Sequence, residues 1–365
     1  MMSELDIWKK NVTAEELRQL NALDKATLAD SFARPLAFGT AGMRGVIGLG
    51  IFRMNDYTVA RATKGLSLFV KAQGQEKRGV VIAYDTRRFS KQFAQIAAEV
   101  LSAYGIKVYL YDGVRPVPVC SYRIREKNAF AGIMITASHN PKEYNGYKVY
   151  GEDGAQMSPE NTDKVVAYIE KSSYFNTPLS QENIVTISDD SDYYDKVISQ
   201  SVSEAVVKKF GKDVKLVYSP LHGAGRVPVL EVFKKLGINA LVVKEQEMPD
   251  TEFSTIKVPN PEFRDTLSMG IALAQKNDAE LVIATDPDCD RIGVAVRNAQ
   301  GEYIILTGNQ IGALLLDYIL ERLNEDGKLP KNGAVVKSIV TTTLADRIAE
   351  SYGIKCFNVL TGFKF

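Results

Sequence analysis

Histidine is almost missing from this chain: only His139 and His222 occur in 365 residues. A Ser-His-Asp relay therefore has few candidates to draw on. Cysteine is nearly as scarce. Cys120, Cys289 and Cys356 lie far apart with no zinc-ligand spacing, and they suit a reducing cytoplasm. No apolar run approaches membrane-spanning length, and the opening residues, Met1-Met2-Ser3-Glu4-Leu5-Asp6, form neither a signal peptide nor a transit peptide. An excess of either charge is also missing. With 45 basic residues against 44 acidic ones, there is no electrostatic footprint for nucleic acid. Length is what the chain does have, and 365 residues predict two or three domains with real cores.

An internal repeat organises that length. Val80 to Tyr84 reads as a strand; it leads through a polar loop to a helical stretch, and Gly105-Ile106 then opens the strand Val108-Tyr109-Leu110. The same grammar recurs from Val214 to Tyr218, through Gly237-Ile238, to Leu241-Val242-Val243. It recurs again from Ala334 to Val336, through Gly353-Ile354, to the strand Cys356 to Val359. In each unit glycine ends the helix and β-branched residues fill the strands. The expected fold is α/β, with tandem related domains whose mixed sheets are flanked by helices. The boundaries read as 1–205, 206–304 and 305–365, the third domain being incomplete. The acidic stretch from Ser188 to Asp195 reads as a surface connection.

Two loops carry chemistry. Ala131 to Ile135 is a buried-strand pattern, and it runs into Thr136-Ala137-Ser138-His139-Asn140-Pro141, which places Ser138 on the loop at the strand end. Val282 to Thr285 is a second apolar run, and it ends in Asp286-Pro287-Asp288-Cys289-Asp290-Arg291. Carboxylates at i, i+2 and i+4 point to one side of an extended segment and can converge on one cation. A set of hard oxygen ligands suits Mg²⁺. An EF-hand is excluded, because Arg291 stands where its glycine is required and Arg297 where its bidentate glutamate is required. A Mg²⁺-dependent phosphatase with Asp286 as nucleophile remains a chemical rival. A plain solvated acidic loop is the bland alternative, although three packed carboxylates repel unless a cation joins them. Acidic neighbours also disfavour a thiolate at Cys289.

On extended backbone the side chains of Ser138 and His139 point to opposite faces, so a general-base pair between these neighbours is not expected. A serine that carries a phosphoryl group fits better. Phosphoserine bears about −1.5 to −2 charges at neutral pH and three acceptor oxygens. One oxygen could complete the Mg²⁺ shell begun by Asp286, Asp288 and Asp290, while Arg291 and His139 neutralise the rest.

These residues resemble the α-D-phosphohexomutase family. Thr136 to Pro141 look like its phosphoserine loop, and Asp286 to Arg291 look like its metal loop. Further matches are Phe38-Gly39-Thr40-Ala41-Gly42-Met43-Arg44-Gly45, Tyr84-Asp85-Thr86-Arg87-Arg88 and Tyr144-Asn145-Gly146-Tyr147-Lys148-Val149. The wording, with Leu306-Thr307-Gly308-Asn309-Gln310, is most similar to the phosphoglucomutase and phosphopentomutase branch. The resemblance runs from Phe38 to Phe365. It implies Ser138 as the phosphorylated residue and as a metal ligand, Arg44 at the active site, Lys148 as a candidate base, and Lys337 as a weaker phosphate contact. Some relatives place a histidine after Thr-Gly where this chain has Phe363, so an acid/base there is not available.

The implied reaction interconverts sugar 1-phosphate and sugar 6-phosphate, glucose first, through a bisphosphate intermediate. Its cofactors are Mg²⁺ and a priming bisphosphate such as glucose 1,6-bisphosphate, and its partners are small-molecule sugar phosphates, not nucleic acid or membrane. Phosphopentomutase, sugar-bisphosphate synthase and a silent sugar-phosphate-binding module are the alternatives. The resemblance also implies a sugar-recognition loop and a fourth, phosphate-anchoring domain, and neither is found by residue 365. Little interconversion by residues 1–365 alone is therefore expected, with apolar surface exposed at Cys356 to Val359.

Two features read as structural. Ser219-Pro220-Leu221-His222-Gly223-Ala224-Gly225-Arg226-Val227-Pro228 imitates a dinucleotide turn, but Pro228 replaces its third glycine. His222 reads as a satisfied structural histidine.

Overall fold

The computed structural model describes residues 3–39 and 42–362. The chain divides into two compact units, Met1–Ser188 and Asp189–Phe365. In the first, six strands form one sheet: β1 (Gly42–Val46), β2 (Val80–Tyr84), β3 (Val108–Tyr111), β4 (Ala131–Ile135), β5 (Tyr144–Tyr150) and β6 (Ile184–Ile187). Their order is β1-β5-β4-β2-β3-β6. β2 pairs in parallel with β3 and β4, and β3 with β6, whereas β5 runs antiparallel to both β4 and β1. Every residue of β2 and β4 is buried, and the helices Ser90–Ala103 and Val117–Glu126 pack on them. Central parallel strands covered on both faces have no solvent side to mark with polar residues, which is why they read as unbroken apolar runs.

The second unit repeats the plan with β7 (Leu216–Ser219), β8 (Ala240–Val242), β9 (Leu281–Thr285), β10 (Ile292–Arg297) and β11 (Tyr303–Leu306), in the order β11-β10-β9-β7-β8. β7 is parallel to β8 and β9, and β10 is antiparallel to β9 and β11. The run β8-β7-β9-β10 thus reproduces β3-β2-β4-β5 in order and direction. A third copy begins with β12 (Ala334–Ser338) and β13 (Lys355–Val359), paired in parallel and packed with the helix Leu344–Ser351. The tandem α/β reading with mixed sheets is borne out. One face of this last sheet leaves Val336 and Phe357 exposed.

The glycine that ends each repeat helix has a common cause. Gly105, Gly237 and Gly353 sit at φ 75°, 74° and 69°, the left-handed conformation that turns the chain out of a helix and toward the next strand. The acidic stretch from Ser188 to Asp195 is not only a connection, however. The helix Ser191–Ile198 starts inside it, and Asp195 accepts a 2.7 Å bond from Lys235 Nζ. The turn-forming Ser and Asp residues masked the helical spacing of Tyr194, Val197 and Ile198. Among the described residues no helix is long and apolar enough to cross a membrane.

A Cβ at Gly105 would meet nothing within 4 Å, so a substitution there tests backbone conformation alone. Gly105→Ala should lower the stability of the first unit by about 1–2 kcal/mol. Gly105→Asn should cost less, because asparagine tolerates this region. Urea unfolding followed by the fluorescence of Trp8, which is fully buried in the same unit, would read the change. Equal stability of wild type and Gly105→Ala would show that the left-handed turn is not required.

Candidate functional site

Ser138 stands three residues beyond β4, on a loop that returns as β5. It is only 5% exposed, and its backbone N–H donates to Thr136 Oγ1 at 2.8 Å. Its φ of 54° is left-handed. That conformation corrects one expectation. The Ser138 and His139 side chains do not diverge as on extended backbone, because the left-handed turn brings Ser138 Oγ within 3.1 Å of His139 Nδ1. Arg44, exposed on β1, donates from Nη1 to Asn140 Oδ1 at 2.8 Å and so reaches the same loop. Lys148 is half-buried on β5, in register with Met134 of β4 and Gly42 of β1. Ser138 and His139 thus share one loop, Arg44 reaches it from β1, and Lys148 lies on the strand that follows it.

Sequence reasoning gave Arg87 no role. Its guanidinium lies under this loop, donating to the carbonyls of Ser138, Asn140, Pro141 and Tyr144. Asp85 faces it, with Oδ2 3.4 Å from Arg87 Nε and neither side chain exposed. Burial pushes the Asp85 carboxyl above the usual range, and the Arg87 charge opposes that shift. The signal was the pair of Asp and Arg residues just beyond an apolar strand, a place where both have to find partners.

The carboxylate loop takes the matching position after β9. Asp286 and Asp288 are fully buried and Asp290 is exposed, yet ligand oxygens from all three lie within 4.8 Å of one another. Asp286 Oδ1 accepts the backbone N–H groups of Asp290 and Arg291, at 3.1 and 3.0 Å, which curls the loop around it. Burial pushes the Asp286 carboxyl up to about 9, with the Asp288 and Asp290 charges adding to the shift. Buried carboxylates that cannot all ionise beside one another fit a divalent cation, and an all-oxygen donor set fits a hard one. Burial likewise pushes the Cys289 thiol up to about 12, which disfavours a thiolate.

The turn that imitates a dinucleotide fingerprint braces this loop. Ala224 N–H donates to Pro287 O at 2.8 Å, and Tyr218 Oη lies 2.9 Å from Thr285 Oγ1. Gly223 lies so close that a Cβ there would be 2.6 Å from Pro287 Cα. His222 is satisfied as a structural residue, with Nδ1 2.9 Å from Met248 O and Nε2 2.8 Å from Thr255 Oγ1. Arg291 is exposed, with Nη1 3.8 Å from Glu262. Lys337 is buried within the third copy, where Nζ pairs with Asp346 at 3.1 Å and bonds Thr341 O at 3.3 Å. The serine loop belongs to the first unit and the aspartate loop to the second. Phe363, Thr40 and Ala41 lie outside the described residues.

Comparison with known proteins matches three family descriptions in order. Phosphoglucomutase/phosphomannomutase alpha/beta/alpha domain I covers residues 35–176, domain II covers 191–301 and domain III covers 307–365. A phosphoglucomutase of Staphylococcus aureus strain N315 is 40% identical over 345 residues, which is 92% of this chain and 61% of the relative. The chain thus spans about three fifths of the length of the curated relatives it matches. Among solved structures, a candidate phosphomannomutase from Thermus thermophilus superposes with a TM-score of 0.76 at 25% identity, over 91% of this chain and 70% of its own. The open form of the Paramecium phosphoglucomutase parafusin gives 0.68 at 19% identity, over 90% of this chain and 62% of its own. This last likeness speaks to fold alone.

The aspartate loop should make stability depend on pH and on cations together. The folded-state value at Asp286 lies above the unfolded one, so the folded chain keeps a proton that the unfolded chain releases. Without divalent cation, melting temperature should therefore fall as pH rises from about 6 to about 9. A cation replaces the proton, so Mg²⁺ at a hundredfold excess over its Kd should raise melting by about 5 °C or more at pH 8, and by less at pH 6. Gly223→Ala, whose Cβ would crowd Pro287, and Asp288→Asn should each reduce that rise by at least about half. Differential scanning fluorimetry with and without chelator would check this. Melting that ignores both Mg²⁺ and pH would remove the cation assignment.

Proposed function

Because this chain belongs to the phosphoglucomutase/phosphomannomutase family of α-D-phosphohexomutases, we propose that it serves a sugar-phosphate mutase reaction with Ser138 as the phosphoryl carrier. The observation that carries this reading is the serine loop itself. A nearly buried hydroxyl at the carboxyl end of β4 is held in a left-handed turn among His139, Arg44 and Arg87. Arg44 and Arg87 bond this same loop, and positive charge beside it suits a group that acquires about −1.5 to −2 charges when phosphorylated.

In the forward half-reaction a free sugar hydroxyl attacks phosphoserine 138. The sugar O–P bond forms as the Ser138 Oγ–P bond breaks, and the hydroxyl proton passes to a base, for which Lys148 is the candidate. The bisphosphate then reorients, and Ser138 Oγ attacks its other phosphate: the Ser138 Oγ–P bond re-forms as the second sugar O–P bond breaks, and the departing sugar oxygen takes the proton back from the base, leaving the isomerised monophosphate. Arg44, Arg291 and Lys337 are the candidate phosphoryl contacts, and His139 lies 3.1 Å from Ser138 Oγ. Asp286, Asp288 and Asp290 would hold Mg²⁺, and the ion would supply positive charge to neutralise a phosphoryl group. Glucose 1-phosphate and glucose 6-phosphate are the preferred pair, a choice supported by the name of the Staphylococcus relative. Glucose 1,6-bisphosphate would prime the serine.

Incubation with glucose 1,6-bisphosphate and Mg²⁺ should add one phosphoryl group, which intact mass and peptide mapping should place on Ser138. Ser138→Ala should gain none while keeping its melting temperature. Label on Asp286 instead, or equal label in Ser138→Ala, would sink the phosphoserine mechanism.

A further inference from the structure

The geometry points to Arg87 as the positioning residue of the serine loop: it grips the loop by its carbonyl oxygens and so fixes the direction of Ser138 Oγ. This rests on the phosphoserine function proposed above. Arginine carries five N–H donors in a rigid planar fork. Here Nη2 donates to the carbonyls of Ser138 at 2.6 Å and Asn140 at 2.5 Å, and Nη1 to those of Pro141 at 2.9 Å and Tyr144 at 3.1 Å. The fork is itself fixed from below. Asp85 lies 3.4 Å from Nε, and the same carboxylate accepts Arg87 N–H at 2.9 Å and Ser90 Oγ–H at 2.6 Å.

The loop needs such a grip. Four carbonyl dipoles converging on one buried point repel one another unless a positive charge receives them. Ser138 also has a φ of 54°, which side-chain-bearing residues adopt only when their surroundings hold them there. Arg87 bonds the carbonyl of that same residue, so it acts directly on the strained turn. Because the peptide group is planar, a carbonyl drawn down to Arg87 directs the following N–H the opposite way, and for Ser138 the following residue is His139. One side chain thus orients both the carrier hydroxyl and the peptide beside it. Lysine could supply the charge, but its single ammonium cannot span four carbonyls.

The test follows phosphoryl uptake on Ser138 from glucose 1,6-bisphosphate by the full chain with Mg²⁺, as rate against concentration. Arg87→Ala should lower the maximal rate about 100-fold, the scale of a misplacement of about 1 Å, with little change in half-saturating concentration. Added guanidinium should restore part of that rate, and Arg87→Lys should recover only a minor part of it. Arg61→Ala serves as a structural control. It loses a 2.8 Å bond to Ser172 O elsewhere in the same unit, so it should lower the melting temperature and leave uptake unchanged. A maximal rate within about threefold of wild type in Arg87→Ala would overturn the assignment, as would a loss confined to affinity. Should Arg87→Ala fail to fold, the same criterion applied to Arg87→Lys decides. Wild type that takes up no phosphoryl group refutes the phosphoserine function itself. Amide hydrogen exchange over residues 136–145 then judges the grip separately, and unchanged protection in the Arg87 variants overturns it.

Discussion

A strand that pairs antiparallel with the next strand in the chain must end in a loop that doubles straight back. β4 meets this constraint between Ile135 and Tyr144, and β9 meets it between Thr285 and Ile292. Extended backbone cannot make so tight a return, and each loop turns through a left-handed residue that is not glycine, Ser138 at φ 54° and Cys289 at φ 52°. The parallel neighbours β2 and β7 end at the same side of their sheets, so the loops that follow them lie beside the returns and support them. Arg87 does this in the first unit by gripping carbonyls, and Gly223 and Ala224 do it in the second by close approach to Pro287. The two copies solve one backbone problem by different chemistry.

Charge is divided along the same line. Near neutrality over the whole chain conceals a serine loop flanked by Arg44, Arg87 and Lys148, and a second loop that carries Asp286, Asp288 and Asp290. The first arrangement favours an anion and the second a cation. Burial strengthens the preference at Arg87, Asp286 and Asp288, because water cannot screen charges that it does not reach. Phosphoryl transfer asks for both kinds of site, since the migrating group is an anion that has to be held and also neutralised.

Apolar runs bounded by glycine made the sheet legible. Val80–Tyr84 and Ala131–Ile135 read as strands because burial on both faces leaves no polar residue to blur the signal. The residue types of both chemistry loops were equally legible, since three aspartates at alternate positions are hard to explain without a cation. The conformation of Ser138 was not. A local rule for extended chain separates Ser138 from His139, whereas the left-handed turn that joins them depends on Arg87, whose contacts lie more than fifty residues away in sequence. The partner of Lys337 was hidden for the same reason. Asp346 is nine positions downstream, and only the pairing of β12 with β13 and the packing of the helix Leu344–Ser351 set the two against each other. Periodicity reports which face of an element is buried; it is silent on which distant side chain arrives there.

Ser138 and the three aspartates lie beyond the last paired residues of β4 and β9, so none of them takes part in a strand ladder. Replacing them leaves strand register untouched, whereas a one-residue shift within β4 or β9 would turn the whole buried strand over. The scaffold therefore behaves as a modular chassis. The returns can carry a serine in one copy of the plan and three aspartates in the other without renegotiating the core that presents them.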